Sequence, residues 1–262
     1  MGSATTQALA ASNAALDAAS GVDLDVAGEL FAAARALADA PALSGALADW
    51  GASADARAKV VADVFAPLKP VSRELLSAVA TQRWSSASDL VDAVEEVAIR
   101  AAAGAERGVD VETELFQFGR VVAGDARLEL ALGSRLGDAS EKGRLVESLL
   151  ASRAGAATTL IVSSVVQRPR GRRVRELLAR AERIVAASRG RKVARVTSAV
   201  PLSAAQTERL AKLLSAKYDS EVSVNTVIDA GVVGGVRVQI ADDVIDASVS
   251  TRLNDLRQRL AG

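Results

Sequence analysis

One internal match constrains this chain more than any other feature: residues 29–83 align without a gap onto 114–168, 85 positions further on. Identical pairs include Glu29 and Glu114, Leu30 and Leu115, Phe31 and Phe116, Arg35 and Arg120, Leu43 and Leu128, and Leu47 and Leu132. Ala54 with Ala139, Val61 with Val146 and Leu75 with Leu160 continue the series, which closes on Gln82-Arg83 and Gln167-Arg168. Several differences exchange one apolar residue for another, as Val60 for Leu145 or Leu76 for Ile161. Two Ala/Leu-rich stretches can match by chance, but here charges and turn residues also keep register, which favours duplication of a folding unit. The match predicts two tandem helical bundles, residues 1–105 and 106–189.

Apolar spacing supplies the helices. Leu30, Phe31, Ala34 and Leu37 share a face over about 26–38, and Pro41 interrupts that run. Ser53 can cap the next helix, whose Val60, Val61, Val64 and Phe65 form a stripe that ends at Pro67 and Pro70. Ser72 is expected to cap another, with Leu75, Leu76 and Val79 inside, and a long helix over about 90–106 closes the first bundle and opens the second. Aromatic residues make up only 3% of the chain, so these cores are built from small side chains, which suits closely packed helices.

Several chemistries are excluded at once. The chain has no Cys and no His, which removes disulfides, thiol nucleophiles, Ser-His triads and nearly every zinc arrangement. Neither a GxxxxGK[ST] loop nor a GxGxxG turn occurs, so no nucleotide cofactor is expected, and no metal site or catalytic residue is assigned. The start lacks the basic and apolar regions of a signal sequence, no apolar run reaches the length of a membrane span, and a soluble cytoplasmic chain is expected. Charge is balanced overall, but residues 168–195 hold eleven Lys and Arg against Glu176 and Glu182. That stretch reads either as a patch for phosphates or an acidic partner, or as a helix face whose charge is solvated and complemented within the chain; the second is favoured because Leu177, Leu178, Ala181, Ile184 and Val185 pack its other side.

Past Gly190 the period changes. Residues 192–197 alternate as a strand, and Ser203 with Gln206 forms a capping box for a helix with Leu210, Leu213 and Leu214 on its buried side. Residues 221–228 and 236–240 alternate again and read as a β-hairpin, with Gly234 and Gly235 marking a bulge or close backbone approach. Asp246 or Ser248 can cap a last helix bearing Val249, Leu253, Leu256 and Leu260. The whole is a mainly α chain ending in a small α+β domain, residues 190–262, of order β-α-β-β-α.

The run PLSAAQTERLAKLL, followed by VSVNTVIDAGVVGGVRVQIADDVIDASVSTRL, closely resembles the C-terminal domain of the δ subunit of bacterial ATP synthases, the family of the mitochondrial oligomycin-sensitivity-conferring protein. The family pattern is a strand, a Gly-Gly step, a second strand, a Gly-Asp turn and Ile-Asp-Gly-Ser before a helix. Gly234, Gly235, Asp242, Ile245, Asp246 and Ser248 stand where it asks, while Ala241 and Ala247 replace two of its glycines. The bundles are similar to the family's helical domain, with the first copy an addition to the usual one. The resemblance implies a peripheral-stalk subunit that takes no part in catalysis. Its helical domain would grip N-terminal segments of the α subunits, and its C-terminal domain would join the ends of the b subunits at the cytoplasmic face of the membrane. Contact with the membrane would come only through the complex, and no nucleic acid would be bound. The rival is a helical nucleic-acid-binding regulator using residues 168–195, whose binding would weaken steeply with salt. Trp50 and Trp84 read equally as partner anchors or as one core filler per bundle.

Overall fold

The computed structural model describes residues 2–106, 108–134, 137–232, 234–240 and 243–246. It divides into two compact units, Met1–Ile184 and Val185–Gly262.

The first unit is helical. Its elements are α1 (Ser3–Ala18), α2 (Leu24–Asp39), α3 (Pro41–Ala48), α4 (Ala54–Val64), α5 (Pro70–Ala80), α6 (Ala87–Ala105), α7 (Val111–Gly124), α8 (Ala126–Gly133), α9 (Ala139–Leu150) and α10 (Ala156–Gln167), and it reaches into α11 (Val174–Ser188). Side chains set the helix starts by accepting from backbone N–H groups that have no partner within the helix. Asp23 receives Val26 N at 2.8 Å, and Ser53, Ser86, Asp110, Asp125 and Asp138 do the same for α4, α6, α7, α8 and α9. Pro41 and Pro70 occupy the first turns of α3 and α5, where a missing N–H costs nothing.

Helix α6 is the central beam: twelve of its 19 residues are buried, so partners surround it on most sides. The closeness of that packing follows from alanine, since Ala27 in α2 and Ala98 and Ala102 in α6 are fully covered. Trp84 is buried just before α6, its indole Nε1 donating to Val79 O at 2.8 Å, and so fills the core. Trp50 is 67% exposed, with the Arg83 guanidinium 4.9 Å from its ring centroid. Val64 is exposed too, outside the stripe expected of it.

Contacts of the two aligned segments recur, with one displacement. Glu29 in α2 accepts from Lys69 N at 2.9 Å and the Ser72 hydroxyl at 2.5 Å. Glu114 in α7 accepts from Gly155 N at 3.0 Å and the Thr158 hydroxyl at 2.5 Å. The carboxylates are 85 positions apart but their partners are 86 apart, because α9 is 12 residues long where α4 is 11. Burial shifts with them: Leu75, Leu76, Val79 and Ala80 in α5 correspond to Ile161, Val162, Val165 and Val166 in α10. The ungapped alignment passes over this step since neighbouring residues in both helices are apolar. Ser72 lies inside α5 with its hydroxyl on Glu29, and so does not cap that helix.

The second unit carries β1 (Arg191–Ser198), α12 (Ala204–Tyr218), β2 (Glu221–Ile228), β3 (Val236–Ile240) and β4 (Asp243–Asp246). The Ser203–Gln206 capping box is present, with Ser203 N donating to Gln206 Oε1 at 2.8 Å and Gln206 N to Ser203 Oγ at 3.3 Å. The sheet order is β2-β1-β3-β4, with β1 parallel to β2 and antiparallel to β3. Two sequence expectations therefore change. β2 and β3 do not form a hairpin: β1 lies between them, and the connection over 229–235 crosses the end of β1, where Asp229 N donates to Ser198 O at 2.9 Å. Seven residues reach across a strand, whereas a tight hairpin uses about two. The hairpin present is β3–β4, which adds a fourth strand to the three expected. Ala194, Val196, Leu214, Val222, Val238 and Ile240 make the core between sheet and helix. Leu213, expected inward, is 62% exposed. The expected last helix lies outside the described residues.

Candidate functional site

The residues singled out in the small unit shape backbone and sheet. Gly234 and Gly235 have φ of +67° and +78°, the left-handed region that side chains disfavour, and they turn the connection into β3. Ile245 pairs with Val238 across the β3–β4 hairpin and packs on the core, while Asp246 pairs with Arg237 at the hairpin's open end. Asp242 and Ser248 lie outside the described residues. What the pattern did not single out is an exposed apolar set: Val200, Leu213, Ile228 and Val244 are each between 47% and 66% exposed. Val200 and Ile228 sit at the same end of the sheet, since Ser198 pairs with Ile228. Their signal in the sequence was present but ambiguous, because an apolar residue in an alternating or amphipathic run reads as inward by default.

In the helical unit, the basic stretch turns largely inward. Arg170 and Arg172 both bond Asp92 in α6; Arg170 also reaches Glu95 at 3.2 Å, and Arg180 reaches the same carboxylate at 2.6 Å. Arg168 pairs with Asp39 at 2.5 Å, and Arg175 with Glu129 at 2.9 Å. Burial raises the Asp92 carboxyl's proton affinity, but hydrogen bonding from Arg172 and the charges of Arg170 and Arg180 outweigh it and hold its pKa below the usual carboxylate value. The hydrogen bond to Asp92 is also the main reason that Arg172 holds its proton more firmly than a free guanidinium. The charge is thus complemented within the chain, by acids on α2, α6 and α8.

A second basic residue is used differently in the two aligned segments. Arg57 is buried in α4 and caps the end of α5, donating to the carbonyls of Ala80 and Gln82 at 2.7 Å each and of Thr81 at 3.1 Å. Its counterpart Lys142 turns to the carbonyl of Ser134 after α8. Beside Lys142 a cleft of about 1010 Å³ opens between α8, α9 and the loop that leads into α11.

A long helical unit and a small mixed sheet, with ion-paired walls and exposed apolar edges, have the build of a structural adaptor that works by binding. No single helix among the described residues is long and apolar enough to cross a membrane. The family model of the ATP synthase delta (OSCP) subunit matches residues 97–260. The ATP synthase subunit delta of Leifsonia xyli subsp. xyli is 48% identical over 264 residues, covering 100% of both chains. That of Streptomyces avermitilis is 39% identical over 267 residues and 98% of each chain. In a cryo-EM structure of the Toxoplasma gondii mitochondrial ATP synthase hexamer, one chain aligns over 64% of this chain and 96% of its own length, at 16% identity and a TM-score of 0.41. The chain belongs to the ATP synthase delta (OSCP) subunit family. It is a non-catalytic stator subunit of a membrane-associated complex that couples ATP synthesis to proton transport.

Proposed function

We propose that this chain ties N-terminal segments of the α subunits to the C-terminal ends of the b subunits, holding the catalytic head against the torque of the rotor at the cytoplasmic face of the membrane. The observation that carries the reading is end-to-end similarity to proteins named ATP synthase subunit delta, 48% identical over the full length in one case. The helical unit takes the α segments, since small-residue helices leave grooves that an amphipathic helix can fill. The small unit takes the b subunits; the exposed Val200, Leu213, Ile228 and Val244 give it apolar surface to bury, and Gly234 and Gly235 shape the approach to β3. Ile245 and Asp246 serve that unit as structure, in the β3–β4 hairpin.

Three segments follow from this reading: a first helical copy over 1–105, a second over 106–189 and the stalk-binding domain over 190–262. Supporting it, the family model begins at residue 97, just past the middle of α6, and leaves most of the first copy outside. The repeated contacts of Glu29 and Glu114 add weight to duplication. The nucleic-acid alternative loses its basis, because Arg168, Arg170, Arg172, Arg175 and Arg180 are engaged by carboxylates of the chain itself.

Titration calorimetry of the full chain against two synthetic peptides tests the reading, one from the start of the α subunit and one from the end of the b subunit. Each is expected to bind without displacing the other. If neither binds, the bridging role is wrong.

A further inference from the structure

Identical residues at equivalent places in the two copies are not equally covered. Phe31 in α2 is 2% exposed, while its counterpart Phe116 in α7 is only partly buried. Arg35 is partly buried, while Arg120 is exposed. The cover on α2 comes from the second copy, whose α10 packs against it. Phe31, Ala34, Arg35 and Ala38 of α2 line one side of a gap of about 10 Å³, with Ser164 of α10 and Arg168 just beyond it on the other, room for about one water molecule. One turn before Phe31, a Cβ placed on Gly28 would lie 3.9 Å from Leu160 Cδ1 in α10.

Helix α10 carries the matching change. Leu160, Ser163 and Ser164 stand 86 positions after Glu74, Ser77 and Ala78 of α5, the register that the one-residue step gives. Ser163 and Ser164 are buried and Leu160 partly so, whereas Glu74 is exposed and Ser77 and Ala78 are partly exposed. A glutamate on the free face of one copy is thus a leucine on the covered face of the other. Ion pairs tie the end of this seam: Arg168 to Asp39 of α2 at 2.5 Å, and Arg170 to Asp92 and Glu95 of α6. Arg170 has a φ of +50°, which side chains disfavour, and those carboxylates hold it there.

We propose that the first copy is a brace for the second: the seam between α2 and α10, closed on α6, makes the two copies one stiff body with no swivel between them. Helix α6 packs on both α2 and α10, so it belongs to both copies. The apolar contacts of Phe31 and Leu160 supply the adhesion, and the arginine–carboxylate pairs fix the register. A joint that flexed between the copies would take up rotor torque as bending, and a stator subunit acts by not yielding. The proposal rests on reading the helical unit as two copies, and it is independent of which partner either copy binds.

Distances between paired nitroxide labels, measured by double electron–electron resonance on the full chain, test it; the chain has no cysteine of its own to interfere. Labels at Ala62→Cys on α4 and Glu147→Cys on α9, both exposed, span the two copies. Labels at Gln7→Cys on α1 and Ala62→Cys span the first copy alone. Each pair is expected to give one narrow distance distribution. Leu160→Glu together with Asp39→Arg sets a carboxylate against Gly28 and a guanidinium against Arg168. That variant should broaden the distribution between the copies and leave the one within the first copy narrow, which separates an opened seam from an unfolded copy. A broad spread between the copies without these changes would overturn the proposal. So would a narrow one with them, since α6 alone would then set the spacing. Equal broadening of both pairs would overturn it too, because the first copy would then depend on the seam for its own fold.

Discussion

The buried arginine of α4 shows how one residue can do in one place what its counterpart does not do in another. Arg57 closes three carbonyls at the end of α5, so Arg57→Ala strands acceptors in a covered site and is expected to cost about 2–3 kcal/mol. Lys142→Ala removes one bond to Ser134 and should cost about 1 kcal/mol or less; urea unfolding of the two variants reads the difference directly. Asp92 is the matching case for acids. Asp92→Asn leaves Arg170 and Arg172 without their shared countercharge and is expected to lose about 2 kcal/mol, a figure reduced because these side chains keep some exposure to water. Since its folded pKa is depressed, the stability it contributes is present above the unfolded value of about 4 and is lost as pH falls through the folded value. The wild type should therefore be destabilised more than Asp92→Asn between neutral pH and the strongly acid range, a difference that unfolding curves across that range would show.

Elements were legible in the sequence where a period and a boundary signal agreed. Ser53 and the Ser203–Gln206 box mark helix starts because each satisfies a backbone N–H, and Pro41, which breaks the run before it, opens the next helix where no N–H is needed; that chemistry is local. Strand order was not legible, because alternation states that a strand has two faces and says nothing of its neighbours. Two alternating runs with a glycine-rich connection read as a hairpin, yet β1, with Ala194 and Val196 wholly covered, takes the central place. The shift of one residue between α5 and α10 was hidden for a related reason: Leu75-Leu76 and Ile161-Val162 are apolar in either register. At the connection into β3, Gly235→Val places a β-branched residue at a φ of +78°, a strain of about 1–3 kcal/mol. The small unit should lose protection in hydrogen exchange, and binding of the b-subunit peptide should weaken with it. A variant that kept both would remove this step from the account of stalk attachment.

The whole molecule combines a helical unit, in which two aligned segments share one pattern of contacts, with a small unit built on a mixed sheet. The match between residues 29–83 and 114–168 could suggest a duplicated unit without any knowledge of packing, and the motif in the last third could suggest a family without knowledge of the sheet. The exposed edges and the basic cleft needed coordinates, since both depend on which side of an element faces a neighbour. None of this describes a reaction. A stator subunit acts by staying attached, and its value to the complex lies in stopping the head from turning with the rotor. ATP-driven proton pumping in membrane vesicles carrying the chain's own ATP synthase tests that most directly, measured after the chain is stripped and again after it is added back. Loss of pumping while the freed head still hydrolyses ATP, with recovery on adding the chain, is the predicted result; undiminished pumping in its absence would contradict the account.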